Sequence, residues 1–298
     1  MKQNFQQRLD SSQIAIRHIS SYSEYMKYCR AAKELHQARK QYMTKFEQTQ
    51  HTFSVSGNCF VCGEKTDFKV ALPPNASGNV KPNWRESLVC PGCCFNNRIR
   101  ASIHIFQQEC LPTQNALIYM TEQTTGLFQL VKENYPSTIG SEYLGGEVSF
   151  GQTNGKGIRN ESVTELTFPD SSFDFILSFD VLEHVPDYRK GFAECLRCLK
   201  PGGQILFSVP FIIQNESTVV RATVGEDGAV THLLPPEYHG DPINSNGCLC
   251  YYHFGWDMLG SLAEMGFEKA EVLLYWGSDF GYLGLADQII FLARKPLI

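Results

Sequence analysis

The sequence predicts an α/β fold, in which a mostly parallel sheet carries helices on both faces, preceded by a smaller N-terminal region. Residues 173–203 give the first reason, because an apolar run, an acidic loop and a helical pattern ending at Pro201-Gly202-Gly203 lead into another apolar run. That order describes one βαβ unit. Two Cys-x-x-Cys pairs, with 27 residues between them, give the second reason, since they indicate a separate small unit before the sheet.

The composition describes a globular protein. The chain has 298 residues, 43% of them apolar and 19% charged, with a net charge of −5 that argues against a broadly basic nucleic-acid surface. No apolar run approaches the roughly 20 residues of a membrane span. The first ten residues contain no apolar core of a signal peptide, so the sequence predicts a cytoplasmic protein whose eleven cysteines are reduced or bind metal.

Three regions are expected along the chain. Residues 1–54 form an N-terminal helical arm, 55–112 a zinc-binding unit with a linking helix, and 113–298 the α/β body with a substrate cap at about 211–255. In the arm, Ser21-x-x-Glu24 suits a capping box before a helical pattern. The arm is expected to pack on the body or on a partner chain, which is the more common role of such a segment. The alternative is that it covers the substrate site as a lid.

The two cysteine pairs indicate a structural zinc ion. Cys59-x-x-Cys62 and Cys90-x-x-Cys93 can present four thiolates tetrahedrally, and such a closed site stabilises a fold without activating water. Cys94 follows the second pair directly, so either Cys93 or Cys94 can supply the fourth ligand.

Three arginines flank the second cysteine pair. Arg85, Arg98 and Arg100 either form a nucleic-acid-binding patch or serve as solvated or substrate-positioning side chains. The acidic balance of the chain favours the second interpretation. A further pair, Cys195 and Cys198, lies within a predicted helix and is expected in the core rather than on a metal.

The most specific segment is Phe173-Asp174, then Asp180-x-Leu182-Glu183-His184-Val185, then Leu199-Lys-Pro-Gly-Gly203. It resembles class I S-adenosylmethionine-dependent methyltransferases of the small-molecule, "type 11-like" group, and the resemblance covers about residues 115–295. It implies a Rossmann-like seven-stranded sheet with an antiparallel last pair of strands, and S-adenosylmethionine as methyl donor.

The resemblance places the donor beside the first two strands of the body. Strand 116–121 is followed by a turn in which Glu122 matches the family's acid and Gly126 its last glycine, while Thr124 replaces the middle glycine. Strand 137–143 contains Glu142, whose two carboxylate oxygens suit the two ribose hydroxyls. The alternative for Glu142 is a solvated loop acid.

Two further segments complete the expected donor site. The segment 159–170 resembles the one that follows the family's third strand and contacts adenine, and Glu161 or Ser162 occupies the contacting position. Ser178 and Phe179 end the strand that the family places beside the sulfonium and the incoming nucleophile.

Catalytic candidates follow that strand and lie in the cap. Asp180, Glu183 and His184 follow the strand end, and His184 serves either as a general base or as an architectural residue lining the pocket. In the cap, His239 and its neighbours His232, Tyr238 and His253 can bind a metal or provide a base. No pair has the i,i+4 spacing of helical metal ligands, so polar recognition of the substrate is the preferred role.

These observations together predict an S-adenosylmethionine-dependent methyltransferase that methylates an oxygen of a small molecule or sugar. A histidine- and tyrosine-rich cap suits a hydroxylated acceptor. One alternative is a zinc-ribbon binding module with a non-catalytic Rossmann-like domain, which Thr124 supports. Another keeps the enzyme and takes RNA or protein as the acceptor, with the zinc unit as reader.

Overall fold

A computed structural model of the chain describes residues 5–9, 12–46, 52–71, 82–240, 243 and 246–298. The chain divides into two compact units. One comprises 1–19, 23–112 and 272–290, and the other comprises 20–22, 113–271 and 291–298. None of the helices in the described ranges combines the length and apolar character that crossing a membrane requires.

The first unit carries the helices expected of the arm and the linking segment. Its elements are α1 (Phe5–Leu9), β1 (Ile16–Ile19), α2 (Tyr22–Ala31), α3 (Lys33–Met43), the hairpin strands β2 (Phe53–Cys59) and β3 (Glu64–Val70), and α4 (Asn97–Ile105). Asn96 caps α4 by accepting a hydrogen bond from the N–H of Ile99 (2.9 Å), which satisfies one of the donors that a helix start leaves unpaired. The α4 helix continues as a π-helical turn to Cys110.

The second unit follows the predicted alternation of strands and helices. Its elements are β4 (Ile118–Met120), α5 (Gly126–Asn134), β5 (Ile139–Gly140), β6 (Phe173–Phe179), α6 (Tyr188–Cys198), β7 (Leu199–Ser208), the short strands β8 (Val219–Val220), β9 (Ala222–Val224), β10 (Val230–His232), β11 (Tyr238–His239), β12 (Cys248–Leu249) and β13 (Tyr252–His253), and α7 (Asp257–Met265). Two strands close the chain, β14 (Lys269–Tyr275) and β15 (Gln288–Arg294).

The main sheet has seven strands in the order β1-β14-β15-β7-β6-β4-β5. Strands β5, β4, β6 and β7 run parallel, whereas β15 pairs antiparallel with β7, and β1 antiparallel with β14. The predicted Rossmann-like sheet is therefore confirmed as a mixed seven-stranded sheet. Its edge strand β1 lies in the N-terminal region, where the sequence predicts only helices.

The family resemblance implies a third strand of the body between β5 and β6, and the described residues there form no extended strand. Between β5 and β6 the chain makes a single parallel bridge, from Glu142 to Asn160. The N–H of Glu142 donates to the carbonyl of Arg159 (2.9 Å), and the N–H of Glu161 donates to the carbonyl of Glu142 (3.0 Å). The backbone of Asn160 is bonded on its other side, since its N–H donates to the carbonyl of Gln152 (2.8 Å) and its carbonyl accepts from the N–H of Gly151 (2.7 Å). Its side chain bonds the backbone of residues 144–148.

The core of the sheet carries the apolar runs read from the sequence. Ile176 and Leu177 of β6 and Ile205 and Phe207 of β7 are all buried, as two-sided burial of central parallel strands requires. The α6 helix begins at the cap Asp187, whose side chain accepts from the N–H of Lys190 (3.0 Å). Its Cys195 and Cys198 are buried, which confirms their expected core position.

The region predicted as a cap contains three two-stranded ladders. Strand β8 pairs with β13, β9 with β10, and β11 with β12, all antiparallel. The sequence predicts a cap here without strands, and the strands were missed because each has only two or three residues. Asp241 of the predicted cap lies outside the described residues.

Candidate active site

The turn after β4 lies at the carboxyl end of a central parallel strand. Thr125 caps α5 by accepting from the N–H of Phe128 (3.1 Å), and its hydroxyl donates to the carboxylate of Glu122. Gly126 is the first residue of α5. The predicted strand, acidic turn and helix are thus in place, with the N-terminal N–H groups of α5 at this edge of the sheet.

Glu142 lies against the same turn. Its Oε1 atom accepts three hydrogen bonds of 2.8 Å, from the N–H groups of Gln123 and Thr124 and from the hydroxyl of Thr124. The side chain is well buried, since Glu142 is 8% exposed. The structure therefore brings Glu142 to the predicted place, with one of its two oxygens already bound to the turn. Thr124 supplies a hydroxyl at the position where the family resemblance implies a glycine.

Glu161 and Ser162 differ in how much of their bonding capacity is used. The carboxylate of Glu161, 2% exposed, accepts from Nε of Arg159 (2.8 Å) and from the N–H and hydroxyl of Thr167 (3.0 and 2.6 Å). Ser162 is half-buried, and its hydroxyl pairs with that of Thr164 (2.9 Å). Of the two residues that the sequence left open, Ser162 is the better placed for a ligand, because Glu161 is engaged in the loop itself.

Two loop residues that sequence reasoning missed hold this edge together. Gln123 accepts from the N–H of Arg159 (2.7 Å) and donates to the carbonyl of Gly157 (2.9 Å), which ties the first turn to the 159–170 loop. Asn160, fully buried, accepts from the N–H of Leu144 (2.9 Å). Neither residue carries a spacing that could have revealed its role.

The end of β6 presents the next group of predicted residues. Ser178 is buried and accepts from the hydroxyl of Thr121 (3.0 Å), and Phe179 is buried beside it. Asp180 has a left-handed backbone (φ 54°), and its side chain accepts from the hydroxyl of Ser208 at the end of β7 (2.8 Å). A non-glycine residue in this conformation is uncommon, and here the neighbouring strand holds it.

Both predicted histidines lie beside the acidic loop. The rings of His184 and His239 are 4.9 Å apart, and edge to face. Nδ1 of His184 lies 2.9 Å from the carbonyl oxygen of Leu249, and Nε2 of His239 lies 3.0 Å from Oε1 of Glu237. Glu183, fully buried, lies between the two rings. We call Glu183, His184 and His239 the glutamate–histidine cluster.

The carboxylates around His239 change its acid–base character. Glu183, and then Glu237, raise the pKa of His239 to about 9, against the opposing effect of burial. In the absence of other ligands, His239 is therefore protonated at neutral pH and is a poor general base. Glu237 was missed by the sequence analysis, because it is separated from Glu183 by a long stretch of chain.

Four cysteines of the first unit lie together. The Sγ atoms of Cys59 and Cys93 are 3.7 Å apart, as are those of Cys62 and Cys90, and all four lie within 4.8 Å of one another. Tetrahedral zinc with Zn–S bonds of about 2.3 Å separates its ligands by about 3.8 Å, so this cysteine cluster (Cys59, Cys62, Cys90, Cys93) fits the ion.

The residue after each cysteine pair explains the position of Cys94. Gly63 (φ 72°) and Cys94 (φ 62°) both adopt the left-handed backbone, and each donates its N–H to the carbonyl of the first cysteine of its pair (2.8 Å). Cys94 thus occupies the turn position that Gly63 occupies, and its side chain is exposed outside the cysteine cluster.

The three arginines of this unit do not form an open patch. Arg85 and Arg98 pair with the carboxylate of Glu86 (2.7 and 2.9 Å). Arg100 is fully buried, with its guanidinium 3.7 Å from the ring centroid of Phe68 and donating to backbone carbonyls. Arg100 is thus a core residue, and the guanidinium groups of Arg85 and Arg98 are paired with a carboxylate, so these contacts give no support to a nucleic-acid surface.

Comparison with known proteins bears on one part of the chain. Residues 126–207, from α5 into β7, match the family model described as "Methyltransferase domain". A curated protein of Mycolicibacterium smegmatis, named "Probable S-adenosylmethionine-dependent methyltransferase", is 43% identical over 53 residues, which are 18% of this chain and 21% of that protein. Ubiquinone biosynthesis O-methyltransferase of Pseudomonas fluorescens (strain Pf0-1) is 39% identical over 67 residues, 22% of this chain and 28% of that enzyme.

One solved structure similar to the chain is an S-adenosylmethionine-dependent methyltransferase from Mesorhizobium loti, at 18% identity and a TM-score of 0.42, covering 65% of this chain and 98% of that one. The chain spans 21% and 28% of the length of the two curated relatives named above. The comparisons therefore establish that residues 126–207 are similar to a methyltransferase domain.

Proposed function

We propose that the protein is an S-adenosylmethionine-dependent methyltransferase that methylates an oxygen of a small molecule or sugar. The observation that carries the proposal is the placement of Glu142, Glu122 and Asp180 after the adjacent parallel strands β5, β4 and β6, within and beside the segment that matches a methyltransferase domain. Ligands of open α/β sheets bind at the carboxyl ends of such strands.

The donor would bind across the first turn. Oε2 of Glu142 is the oxygen left for a ribose hydroxyl, since Oε1 accepts from the turn. The N–H groups at the start of α5 would face the donor, and Gly126 allows its backbone to approach closely. Ser162 would contact the adenine, and Ser178 and Phe179 would lie near the sulfonium.

The acceptor would bind between the end of β6 and the cap. Its oxygen attacks the methyl carbon while the carbon–sulfur bond breaks and the electron pair remains on sulfur, so S-adenosylhomocysteine leaves as a neutral thioether. Most of the rate comes from holding the two reactants in line. The hydroxyl proton must also leave, and His184 is the better positioned base. Its Nδ1 points to the carbonyl of Leu249, so Nε2 carries the free lone pair.

The cysteine cluster would hold a structural zinc ion. Its four sulfur atoms have the separations of a tetrahedral site, and such a site has no position left for substrate. Its contribution would be to fold the first unit, since a unit of this kind gains stability directly from metal binding.

Calorimetric titration with S-adenosylmethionine and S-adenosylhomocysteine tests the donor site. Micromolar binding by the wild type, reduced at least tenfold in Glu142→Ala, is the expected result. Glu147→Ala is the matched control, because Glu147 lies nearby in the same loop region and is exposed. No binding up to millimolar concentration, or equal binding by Glu142→Ala, would overturn the proposal.

A second candidate function is a zinc-containing binding module with a non-catalytic Rossmann-like domain. The observation that favours it is the internal use of Oε1 of Glu142 by the Thr124 turn. This candidate predicts no binding of either nucleoside and no methyl transfer to any acceptor, so the same titration separates the two functions.

A further inference from the structure

Glu183 is a buried carboxylate that accepts no hydrogen bond among the described residues and faces two imidazoles at ion-pair distance. The residue is 0% exposed, and neither carboxylate oxygen has a hydrogen-bond partner among the described residues. Burying an unpaired charge costs several kcal/mol, and so buried carboxylates are paired or bind metals. The groups that approach Glu183 are the two imidazoles of its own cluster.

The distances within the glutamate–histidine cluster are those of ligands around one ion. Oε1 of Glu183 lies 3.6 Å from Nε2 of His184 and 3.6 Å from Nδ1 of His239. Both separations exceed the length of a hydrogen bond. Two ligands bound tetrahedrally at 2.0–2.2 Å lie about 3.4 Å apart. One nitrogen from each ring and one carboxylate oxygen fall within 4.8 Å of one another, as a shared ion requires.

Each histidine is oriented through its other nitrogen. Nδ1 of His184 donates to the carbonyl of Leu249 (2.9 Å), and Nε2 of His239 faces Oε1 of Glu237 (3.0 Å). The remaining nitrogens, Nε2 of His184 and Nδ1 of His239, both face Glu183. Metal-binding histidines characteristically use the second nitrogen in this way, on a carbonyl or a carboxylate, which fixes the tautomer and the ring orientation.

A neighbouring group is a weaker alternative. Glu237, His239 and Cys250 also bring three ligand atoms together. However, the carboxylate of Glu237 is already engaged by His239, by His253 (3.1 Å) and by Arg221 (3.1 Å). The thiol of Cys250 donates to a backbone carbonyl (3.3 Å). The oxygens of Glu183 accept no hydrogen bond among the described residues and face only the two histidines of the cluster.

We propose that Glu183, His184 and His239 bind one divalent transition-metal ion, of which zinc is the reference case, and leave an open coordination position. A site of two histidines and one carboxylate has the three protein ligands of catalytic zinc sites. Glu237 is a positioning residue for His239. This second ion would be separate from the one in the cysteine cluster.

The use of the ion rests on the proposed function. An open position on the ion would lie beside the end of β6 and the cap strand β11, where the proposed function puts the acceptor. The ion would lower the pKa of an acceptor hydroxyl bound there, so this hydroxyl would lose its proton to solvent more readily than an unbound one. Its oxygen would then attack the methyl carbon as described above. This role replaces His184 as general base, since its lone pair would be on the metal.

Metal content measured by mass spectrometry on purified, zinc-equilibrated protein tests the site without donor or acceptor. The wild type should hold two zinc ions per chain, and Glu183→Gln and His239→Gln one each. The control His232→Gln, an exposed histidine of the same cap, should keep two. Equal zinc content in wild type and Glu183→Gln would overturn the proposal. A second ion lost in Cys250→Ser but kept in Glu183→Gln would do the same, because it assigns the ion to the neighbouring group.

Cobalt substitution keeps the test informative if a variant loses both ions through poor folding. Co²⁺ in the cysteine cluster gives thiolate charge-transfer absorption, whereas Co²⁺ bound by histidine and carboxylate gives weaker ligand-field bands. Glu183→Gln should retain the first and lose the second, and retention of both would contradict the assignment. If two ions bind but neither nucleoside does in the calorimetric titration, the metal site stands and the methyltransferase proposal fails.

Discussion

Replacing Gly140 by alanine should strain the turn that forms the donor site. Gly140 ends β5, and a Cβ atom added to it would lie 2.5 Å from the carbonyl oxygen of Glu122 and 2.5 Å from Cε2 of Phe128. Real Cβ atoms essentially never approach other atoms this closely. The carbonyl of Glu122 belongs to the backbone of the turn, so it cannot move without displacing the residues that contact Glu142.

The size of the effect follows from these contacts. Overpacking a well-packed interior costs about 1–3 kcal/mol, and a clash with backbone belongs to the upper part of that range. Removing a glycine from a strand returns about 0.5–1 kcal/mol. Gly140→Ala should therefore lower the free energy of unfolding by about 2 kcal/mol, which corresponds to a fall in Tm of about 4–8 °C for a unit of this size.

Urea unfolding followed by circular dichroism measures the difference. Gly146→Ala is the matched control, because a Cβ atom added at Gly146 would have no other atom within 4 Å, and the stability of this variant should stay within about 0.5 kcal/mol of the wild type. In a parallel titration, Gly140→Ala should bind S-adenosylhomocysteine more weakly than Gly146→Ala. Equal stability of the two variants would refute the described packing of β5 against the turn.

Three other predictions test separate parts of the account. Glu161→Gln should lower the free energy of unfolding by about 2 kcal/mol, because it removes a buried charge that accepts several hydrogen bonds. Glu165 is exposed, so the control Glu165→Gln should leave the stability unchanged, and urea unfolding of both variants measures the difference. The hydrogen bond from Arg197 is the main reason why the pKa of Glu194 lies below its ordinary value of 4.5. The ion pair therefore stabilises the fold fully above pH 4.5, and this stabilisation is lost as the pH falls through the lowered pKa. Glu194→Gln should therefore flatten the acid side of a pH–stability profile, and an unchanged profile would contradict the pairing. Chelation of zinc should make up to four more thiols reactive toward a disulfide reagent, those of the cysteine cluster, and an unchanged thiol count would argue against bound metal.

Much of the fold was readable because its signals are local. The β6–α6–β7 unit follows from short apolar runs, a helical pattern and the segment Pro201-Gly202-Gly203, each spanning a few neighbouring residues. The C-terminal helix α7 likewise ends at Gly266, which adopts a left-handed backbone (φ 108°), as a glycine after the last helical residue commonly does. Strand β1 was missed because its partner β14 lies near the other end of the chain, and four residues carry too weak a pattern alone.

The sequence named candidate site residues one at a time and could not show the contacts between them. Glu142 was expected beside the first turn, and the structure has it there. The sequence could not show that the hydroxyl of Thr124 donates to Glu142, so Thr124 was interpreted only as the replacement of a glycine. The cap histidines were judged by helical spacing, whereas His239 lies on a two-residue strand that approaches Glu183 from a distant part of the chain. Ligands assembled by tertiary structure carry no spacing signature.

The central claim is that the carboxyl ends of β4 and β5 bind the methyl donor, and a crystal structure grown with S-adenosylhomocysteine tests it most directly. The account predicts a ribose hydroxyl within hydrogen-bond distance of Oε2 of Glu142, with the nucleoside against the start of α5 and the adenine beside Ser162. A nucleoside bound elsewhere, or this edge of the sheet left without it at saturating concentration, would contradict the account.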